Sequence, residues 1–467
     1  MKNLTIGNIV KAVSGQLHTS EGYDEKREAL SVVIDSRKAS EGCVFIALRG
    51  ERVDGHNFIS DVFKKGALAV ICEEVPDELD GPCIQVDDCY KAIKSLAGFY
   101  RQQLNVKIVG IIGSVGKTST KELVASVLSV KYDVHKTAGN FNNEVGVPLT
   151  IFAIEDHHEI AVVEMGISDF GEMDRLGTIV EPDVVVMTNI GPCHLEKLID
   201  LDGVLKAKTE VFKHMPESGI IVLNHQDEKL RTITSEYVGA RQIRYYNGGG
   251  EVFGTDPISF GLEGTSFMLH INEKKMPVKV PIPGKHMVDN AVAAALVGEI
   301  FDMTPAEIQS GIGQVKALNG RSRLIRSENY LVVDDCYNAN PKSMMAAVDL
   351  MQDAKGRKVM ILGDMFELGE DSDMLHAKVG EYAAMKDIDL IICVGKSSES
   401  MYNAAMKVIE DERKFIRAVH FESKEQLMAA LSSDRTLLET GDTVLIKASH
   451  GMGFTEVVDL LSGSKEL

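Results

Sequence analysis

The sequence predicts an α/β protein of three domains: a small mixed α/β domain, a central, mainly parallel sheet with helices, and a C-terminal doubly wound sheet. Three observations lead there. The chain has 467 residues, enough for about three domains at roughly 150 residues each. From residue 106 onward, apolar strand-length runs alternate with helix-length segments, the pattern of parallel sheets. A glycine turn joins a strand to a helix at 113–117, and a second β-α series begins near Gly320.

The elements follow in order. Residues 32–34, 44–48 and 69–71 are short runs bounded by glycine and polar residues, hence brief strands. Within 92–104, Ile93, Leu96, Ala97, Tyr100 and Leu104 share helical spacing. A strong strand at 106–112 opens a new unit, and Leu123, Val124, Val127 and Leu128 mark the face of the helix after its turn. Strands at 160–164, 184–189 and 220–224 continue the alternation. Residues 241–283, with short runs between glycine turns, read as antiparallel, and 287–300 is an alanine-rich buried helix. The third series places strands at 330–334, 358–362, 390–394 and 443–447, with a site expected at their carboxyl ends. The expected domains are 1–105, 106–318 and 319–467.

Composition excludes some functions. Lys and Arg number 50 against 69 Asp and Glu, a net charge of −19. Such a surface repels a phosphate backbone, so nucleic acid is not an expected partner. Small anionic ligands need only a local patch of donors. The seven cysteines are scattered with no C-x-x-C pair, which argues for a reducing compartment and against a disulfide framework or zinc site. No apolar run approaches the roughly 18 to 20 residues of a membrane span. The N-terminal stretch lacks the apolar core of a signal peptide. The expected location is the cytoplasm, and the expected assembly a monomer.

Gly113-Ser114-Val115-Gly116-Lys117-Thr118-Ser119 carries the chemistry. Glycines let backbone N–H groups close around phosphate oxygens, and the helix N-terminus adds a favourable field. Lys117 would reach the outer phosphates and the Thr118 hydroxyl would ligate Mg²⁺. Ile111 stands where the strict G-x-x-x-x-G-K-[ST] pattern has its first glycine, leaving the shorter G-x-x-G-K-T-S form. Glu164 ends an apolar strand, a position from which a carboxylate can approach such a loop. His194 lies in a loop after another strand, where a lone histidine is more often structural or solvated. Lys206 and Lys208 read, on residues alone, as helix-surface charges.

The short loop form resembles the Mur ligase superfamily, which also contains folylpolyglutamate synthetase. Three further stretches extend the resemblance over all three domains: Gly139-Asn140-Phe141-Asn142-Asn143-Glu144-Val145-Gly146-Val147-Pro148, then Asp334-Asp335-Cys336-Tyr337-Asn338-Ala339-Asn340-Pro341, then Leu362-Gly363-Asp364-Met365-Phe366-Glu367-Leu368-Gly369. Together they look like the members that add D-alanyl-D-alanine. The resemblance implies a central P-loop-type domain and a Rossmann-like C-terminal domain. It implies an ATP-dependent amide ligase that uses Mg²⁺ and joins D-Ala-D-Ala to UDP-MurNAc-tripeptide through an acyl phosphate. By it, Gly113 to Ser119, Asn290, Arg321, Asp335 and Tyr337 contact ATP, and Lys117 acts on the transferring phosphoryl group. Thr118, Glu164, His194 and Lys208 hold metal, Lys208 as a carbamate and preferred over Lys206. Ser36 and Arg37 bind the UDP-sugar, and Asn142, Asn143, Asn338 and Asn340 face substrate. The acidic run 367–373 is expected to be a solvated loop and helix start. At Lys447-Ala448-Ser449-His450 the family commonly has Lys-Gly-Ser followed by Arg or Lys, which puts any acceptor contact by a fixed cation there in doubt.

Overall fold

The computed structural model describes residues 1–19, 22, 24, 26–50, 53–433 and 436–463. Its packing groups the chain into two units. The first comprises Met1–Gly113, Leu128–Ile190 and Leu205–Arg244; the second comprises Ser114–Val127, Gly191–Val204 and Tyr245–Leu467.

The first unit opens with strands β1 (Gln16–His18), β2 (Ser31–Val33), β3 (Cys43–Ile46), β4 (Ala69–Cys72) and β5 (Cys83–Gln85). They form one sheet in the order β1-β5-β4-β3-β2, parallel except for β1. The helix Cys89–Arg101 follows, starting earlier than its apolar spacing suggests because the Asp88 carboxylate caps it by accepting from the Lys91 N–H.

The next sheet contains β6 (Lys107–Ile112), β7 (Val134–Lys136), β8 (Ile160–Glu164), β9 (Val184–Met187), β10 (Ile220–Asn224) and β11 (Gln242–Tyr246), in the order β11-β10-β9-β6-β8-β7. Register places Glu164 beside Ile111, and Met187 beside Ile112. The carboxyl ends of β6, β8 and β9 are therefore level, as the parallel reading requires. The expected antiparallel stretch needs one correction: its first strand, β11, joins this sheet at its edge.

In the second unit β12 (Phe253–Ser259), β13 (Thr265–Ile271) and β14 (Lys274–Val280) form an antiparallel meander. Asn272 and Glu273, with φ of 48° and 61°, make the tight β13–β14 turn. The helix His286–Ile300 is buried over nearly all of its length, which explains its alanines: small side chains let it pack on every face.

The last sheet contains β15 (Arg323–Arg326), β16 (Leu331–Asp334), β17 (Lys358–Gly363), β18 (Leu390–Val394), β19 (Arg417–Phe421) and β20 (Thr443–Lys447). Its order is β15-β16-β20-β17-β18-β19, and only β15 is antiparallel. Alternate residues serve two cores. Val333, Met360, Leu362, Ile391 and Leu445 pack on one face. Val332, Val359, Ile361, Ile392 and Val444 pack on the other. Each such fully buried aliphatic chain contributes about 1.5 to 3 kcal/mol. The chain steps from β16 past an open position to β17 and later returns β20 into it, so the loops after β16, β17 and β20 meet at a topological switch point.

Candidate functional site

The phosphate loop lies between β6 and the helix Lys117–Leu128. A Cβ on Gly113 would lie 1.9 Å from Thr188 Oγ1, so only glycine fits there. Gly116 has φ 86°, a left-handed conformation that glycine adopts without strain. Above Gly116 sits Asn290, largely buried, whose Oδ1 accepts from Thr120 Oγ1 at 3.2 Å. Thr120 was not among the expected site residues. The Ser114 hydroxyl is bonded to the chain itself: it accepts from Gly191 N–H at 2.9 Å and donates to the Gly191 carbonyl at 3.0 Å. It thereby ties the phosphate loop to the loop that carries His194. The Cys193 thiol lies 3.3 Å from the same oxygen.

Arg321 reaches this loop. Its Nη2 donates to Thr118 Oγ1 at 3.3 Å, and its guanidinium carbon lies 4.0 Å from the Tyr337 ring centre. Tyr337 in turn packs against His450 at 5.5 Å between ring centres. The expected nucleotide contacts Thr118, Arg321 and Tyr337 are thus in one place. A narrow cleft beside them is lined by Thr118, Ser119, Glu122, Ile282, Lys316 and Arg321.

Asp335, expected to meet a ribose, is held by Lys447. The ammonium donates to Asp335 Oδ2 at 2.6 Å and to the Asn338 carbonyl at 3.0 Å. Ser322 N–H donates to the other carboxylate oxygen at 3.0 Å. Sequence reasoning missed this use of Lys447. Asn338 spends its Oδ1 on the Ala339 N–H, and Asn340 caps the helix Pro341–Gln352 in a box with Ser343. Both side chains shape the loop after β16.

His194 has φ 51°, and its Nδ1 lies 3.0 Å from Glu367 Oε2. The acidic run from Glu367 is a solvated loop, as expected, and its first residue in addition has a specific partner. The rest of the run does form a short turn and the start of the helix Ser372–Ala384.

The first unit holds the remaining candidates. Glu164 is buried at the end of β8. Asn142 Nδ2 donates to its Oε1 at 2.8 Å, and Thr137 Oγ1 accepts from its backbone N–H at 3.0 Å. Asn142 therefore orients a carboxylate. Asn143 Oδ1 accepts from the N–H groups of Val145 and Gly146, which fixes the turn leading into the helix Gly146–Phe152. Neighbouring Glu144 bridges Lys94 and Arg175 at 2.9 and 2.6 Å; led by the Arg175 hydrogen bond, these cations hold its carboxyl below the usual range. Burial separates the two lysines of the helix Leu201–Thr209: Lys208 is 1% exposed, whereas Lys206 is exposed and lies 6.0 Å from the Phe170 ring.

Arg37 is gripped side-on by Asp35, with Nε to Oδ1 at 2.9 Å and Nη2 to Oδ2 at 2.7 Å. Those hydrogen bonds hold the Asp35 carboxyl at about 2. The Ser36 carbonyl accepts from Lys65 Nζ at 2.7 Å. Arg37 itself stays exposed and available to an anionic ligand.

Chemically, the second unit offers a phosphate cradle with a lysine, a hydroxyl, an imidazole and an arginine. The first offers a buried carboxylate and a buried lysine. Of these groups the hydroxyl and the carboxylate are oxygen donors, the kind a hard divalent cation takes. No helix among the described residues is long and apolar enough to cross a membrane.

Comparison with known proteins follows the same lines. The Mur ligase middle domain model matches residues 111–298, the Mur ligase glutamate ligase domain model 320–450, and the Mur ligase family catalytic domain model 30–101. A curated relative, the UDP-N-acetylmuramoyl-tripeptide–D-alanyl-D-alanine ligase of Bacillus subtilis (strain 168), is 35% identical over 459 residues, which is 97% of each chain. A crystal structure of MurF from Acinetobacter baumannii aligns with TM-score 0.87 at 31% identity, over 98% of this chain and 99% of that one. The MurF ligase of Thermotoga maritima in complex with ADP aligns with TM-score 0.79 at 28% identity, over 93% and 97%.

Proposed function

The chain belongs to the Mur ligase family, and from that premise we propose that it joins D-Ala-D-Ala to UDP-MurNAc-tripeptide, converting ATP to ADP and phosphate. The observation that carries the reading is identity of 35% over 97% of both chains with a ligase of that activity. The matched length includes the phosphate loop and the asparagine-rich stretches on which the sequence reading rests.

A carboxylate and an amine do not condense at neutral pH at a useful rate. The γ-phosphoryl group of ATP passes first to the tripeptide carboxylate, giving an acyl phosphate. The neutral amine of D-Ala-D-Ala attacks the acyl carbon, and phosphate leaves as the tetrahedral adduct collapses. Two anions meet in the first step, so its cost is electrostatic. Lys117 at the helix N-terminus meets the charge that develops on the transferring group. Gly113 to Ser119 cradle the phosphates, Asn290 stands over Gly116 on the adenosine side, and Arg321 leaves Thr118 for the γ-phosphate. Asp335, fixed by Lys447, accepts from the ribose, and Tyr337 packs on the nucleotide.

By the family resemblance, Thr118, Glu164, His194 and Lys208 would each be a Mg²⁺ ligand, and the ion, when bound, would neutralise phosphate charge. Glu164, a buried carboxylate at a strand end, is an oxygen donor of the kind that ion takes. Lys208 serves only after its neutral amine adds CO₂ and loses a proton, giving an anionic carbamate.

The domains divide the work. Residues 1–105 anchor the UDP-sugar through Ser36 and Arg37, 106–318 carry ATP, and 319–467 receive the dipeptide through the loop of Asn338 and Asn340. Asn142 and Asn143 contribute by holding Glu164 and the adjoining helix. ATP and a nucleotide-sugar as substrates put the enzyme in the cytoplasm. The test is phosphate release with UDP-MurNAc-tripeptide and ATP. D-Ala-D-Ala should support turnover well above D-Ala, L-Lys or glutamate; faster turnover with any single amino acid would show the acceptor assignment to be wrong.

A further inference from the structure

We propose that Glu367 is a positioning residue for His194, holding the imidazole through Nδ1 so that Nε2 is the nitrogen presented to the divalent cation. The proposal rests on the reading of His194 as a metal ligand and adds a residue from the loop after β17 to that site.

Three observations support it. The first is chemical. Nδ1 lies 3.0 Å from Glu367 Oε2. An ionised carboxylate only accepts, so the nitrogen facing it carries the proton, and a neutral imidazole then has its lone pair on the other nitrogen. A carboxylate behind a ligating histidine fixes both tautomer and ring orientation in this way.

The second is conformational. His194 and Glu367 both have left-handed backbones, with φ of 51° and 61°. Non-glycine residues are uncommon in that region, glutamate more so than histidine, and such a backbone persists where the surroundings enforce it. Gly369, also left-handed at 62°, brings the turn against Glu196: a Cβ built on it would lie 3.7 Å from Glu196 Cγ. The turn therefore runs alongside the His194 loop. The far end of that loop is clasped by Ser114, through its two bonds to Gly191.

The third is energetic. The Glu367 side chain is 69% exposed. An exposed pair of this kind adds little to folding stability. Two strained backbones are thus not explained by what the contact does for the fold. Aiming the ring explains them, and because the carboxylate arrives from the C-terminal sheet, ligand geometry depends on where that sheet's loop lies.

The test reads metal binding directly. Mn²⁺ replaces Mg²⁺ and is titrated with ADP present, the free ion being followed by paramagnetic resonance. Glu367→Leu keeps the bulk and removes the acceptor, and should weaken Mn²⁺ binding by roughly tenfold or more. Glu367→Gln keeps an acceptor oxygen and should recover part of the loss. ADP affinity measured with chelator should be unchanged in both, as a local collapse of the loop would not allow. His194→Gln is run alongside. If His194→Gln weakens Mn²⁺ binding and Glu367→Leu does not, the positioning role is overturned and the ligand reading stands. If neither weakens it, both are overturned.

Discussion

Replacing Lys447 by Met should loosen the centre of the C-terminal sheet. The lysine and Asp335 side chains are 4% and 14% exposed, and their charged atoms are 2.6 Å apart. Met retains most of the stem and removes the charge, leaving a nearly buried carboxylate without its cation. Breaking a buried pair from one side costs about 3 to 5 kcal/mol. Ser322 still donates to Oδ1, from its N–H at 3.0 Å and its hydroxyl at 3.4 Å, so the lower end applies. About 3 kcal/mol corresponds to roughly two decades in an opening equilibrium. The assay is native-state hydrogen exchange of the paired strands Leu331–Asp334 and Thr443–Lys447. Their protection should fall by about that factor. Adding Asp335→Asn to Lys447→Met removes the stranded charge and should recover much of the loss. Unchanged protection in Lys447→Met, or no recovery in the double variant, would refute the account of the pair as the clamp of this loop.

Two further outcomes are expected. Lys208→Ala should lose ligase activity and regain part of it with acetate, which can enter the space left and supply carboxylate oxygens, while exposed Lys206→Ala should do little damage; equal damage by both, with no rescue, would remove the carbamate. Burial pushes His135 down to about 4, with neighbouring His158 acting in the same direction. The unfolded chain therefore takes up a proton below pH 6.5 that the folded chain refuses. This contribution to stability is intact above pH 6.5 and is lost as pH falls toward 4, by at most roughly 3 kcal/mol. His135→Gln, which can still donate to the Thr150 carbonyl that His135 Nε2 meets at 3.1 Å, should flatten denaturant midpoints between pH 7 and 4, and an unaltered slope would contradict the assignment.

Buried parallel strands were the most legible elements. The expected 160–164, 390–394 and 443–447 are Ile160–Glu164, Leu390–Val394 and Thr443–Lys447 in the structure, because strands enclosed on both faces are written as unbroken apolar runs. Three edge strands were not read. Gln16–His18, Val134–Lys136 and Arg323–Arg326 are three or four residues long and only partly buried, so neither length nor alternation marks them. At the site, the phosphate loop was readable because its chemistry is local in sequence. Lys447 was not read as the partner of Asp335, since the two are 112 residues apart and only the sheet order brings them together. Glu367 lies in solvent as read, but its pairing with His194 was not legible, because nothing in its own neighbourhood of the chain points there. That Asn340 caps the helix Pro341–Gln352 was not read, because the amide that caps a helix and the amide that meets a substrate look alike in a sequence.

The position of β20 bears on how the protein is made. It follows its five companion strands in the chain yet lies in the middle of their sheet, between β16 and β17. Its end carries Lys447, which sets Asp335, and Ser449, whose hydroxyl accepts from Phe366 N–H at 2.9 Å and whose N–H donates to the Asp364 carbonyl at 3.1 Å. During synthesis β16 and β17 emerge with their facing edges open and must wait for about eighty more residues before the gap is filled, at roughly 5 to 20 residues per second. Exposed parallel edges of this kind are where nascent chains mispair. A chain cut short in the helix Lys424–Ser433 would lack β20, and with it the Lys447 and Ser449 bonds that set the loops after β16 and β17.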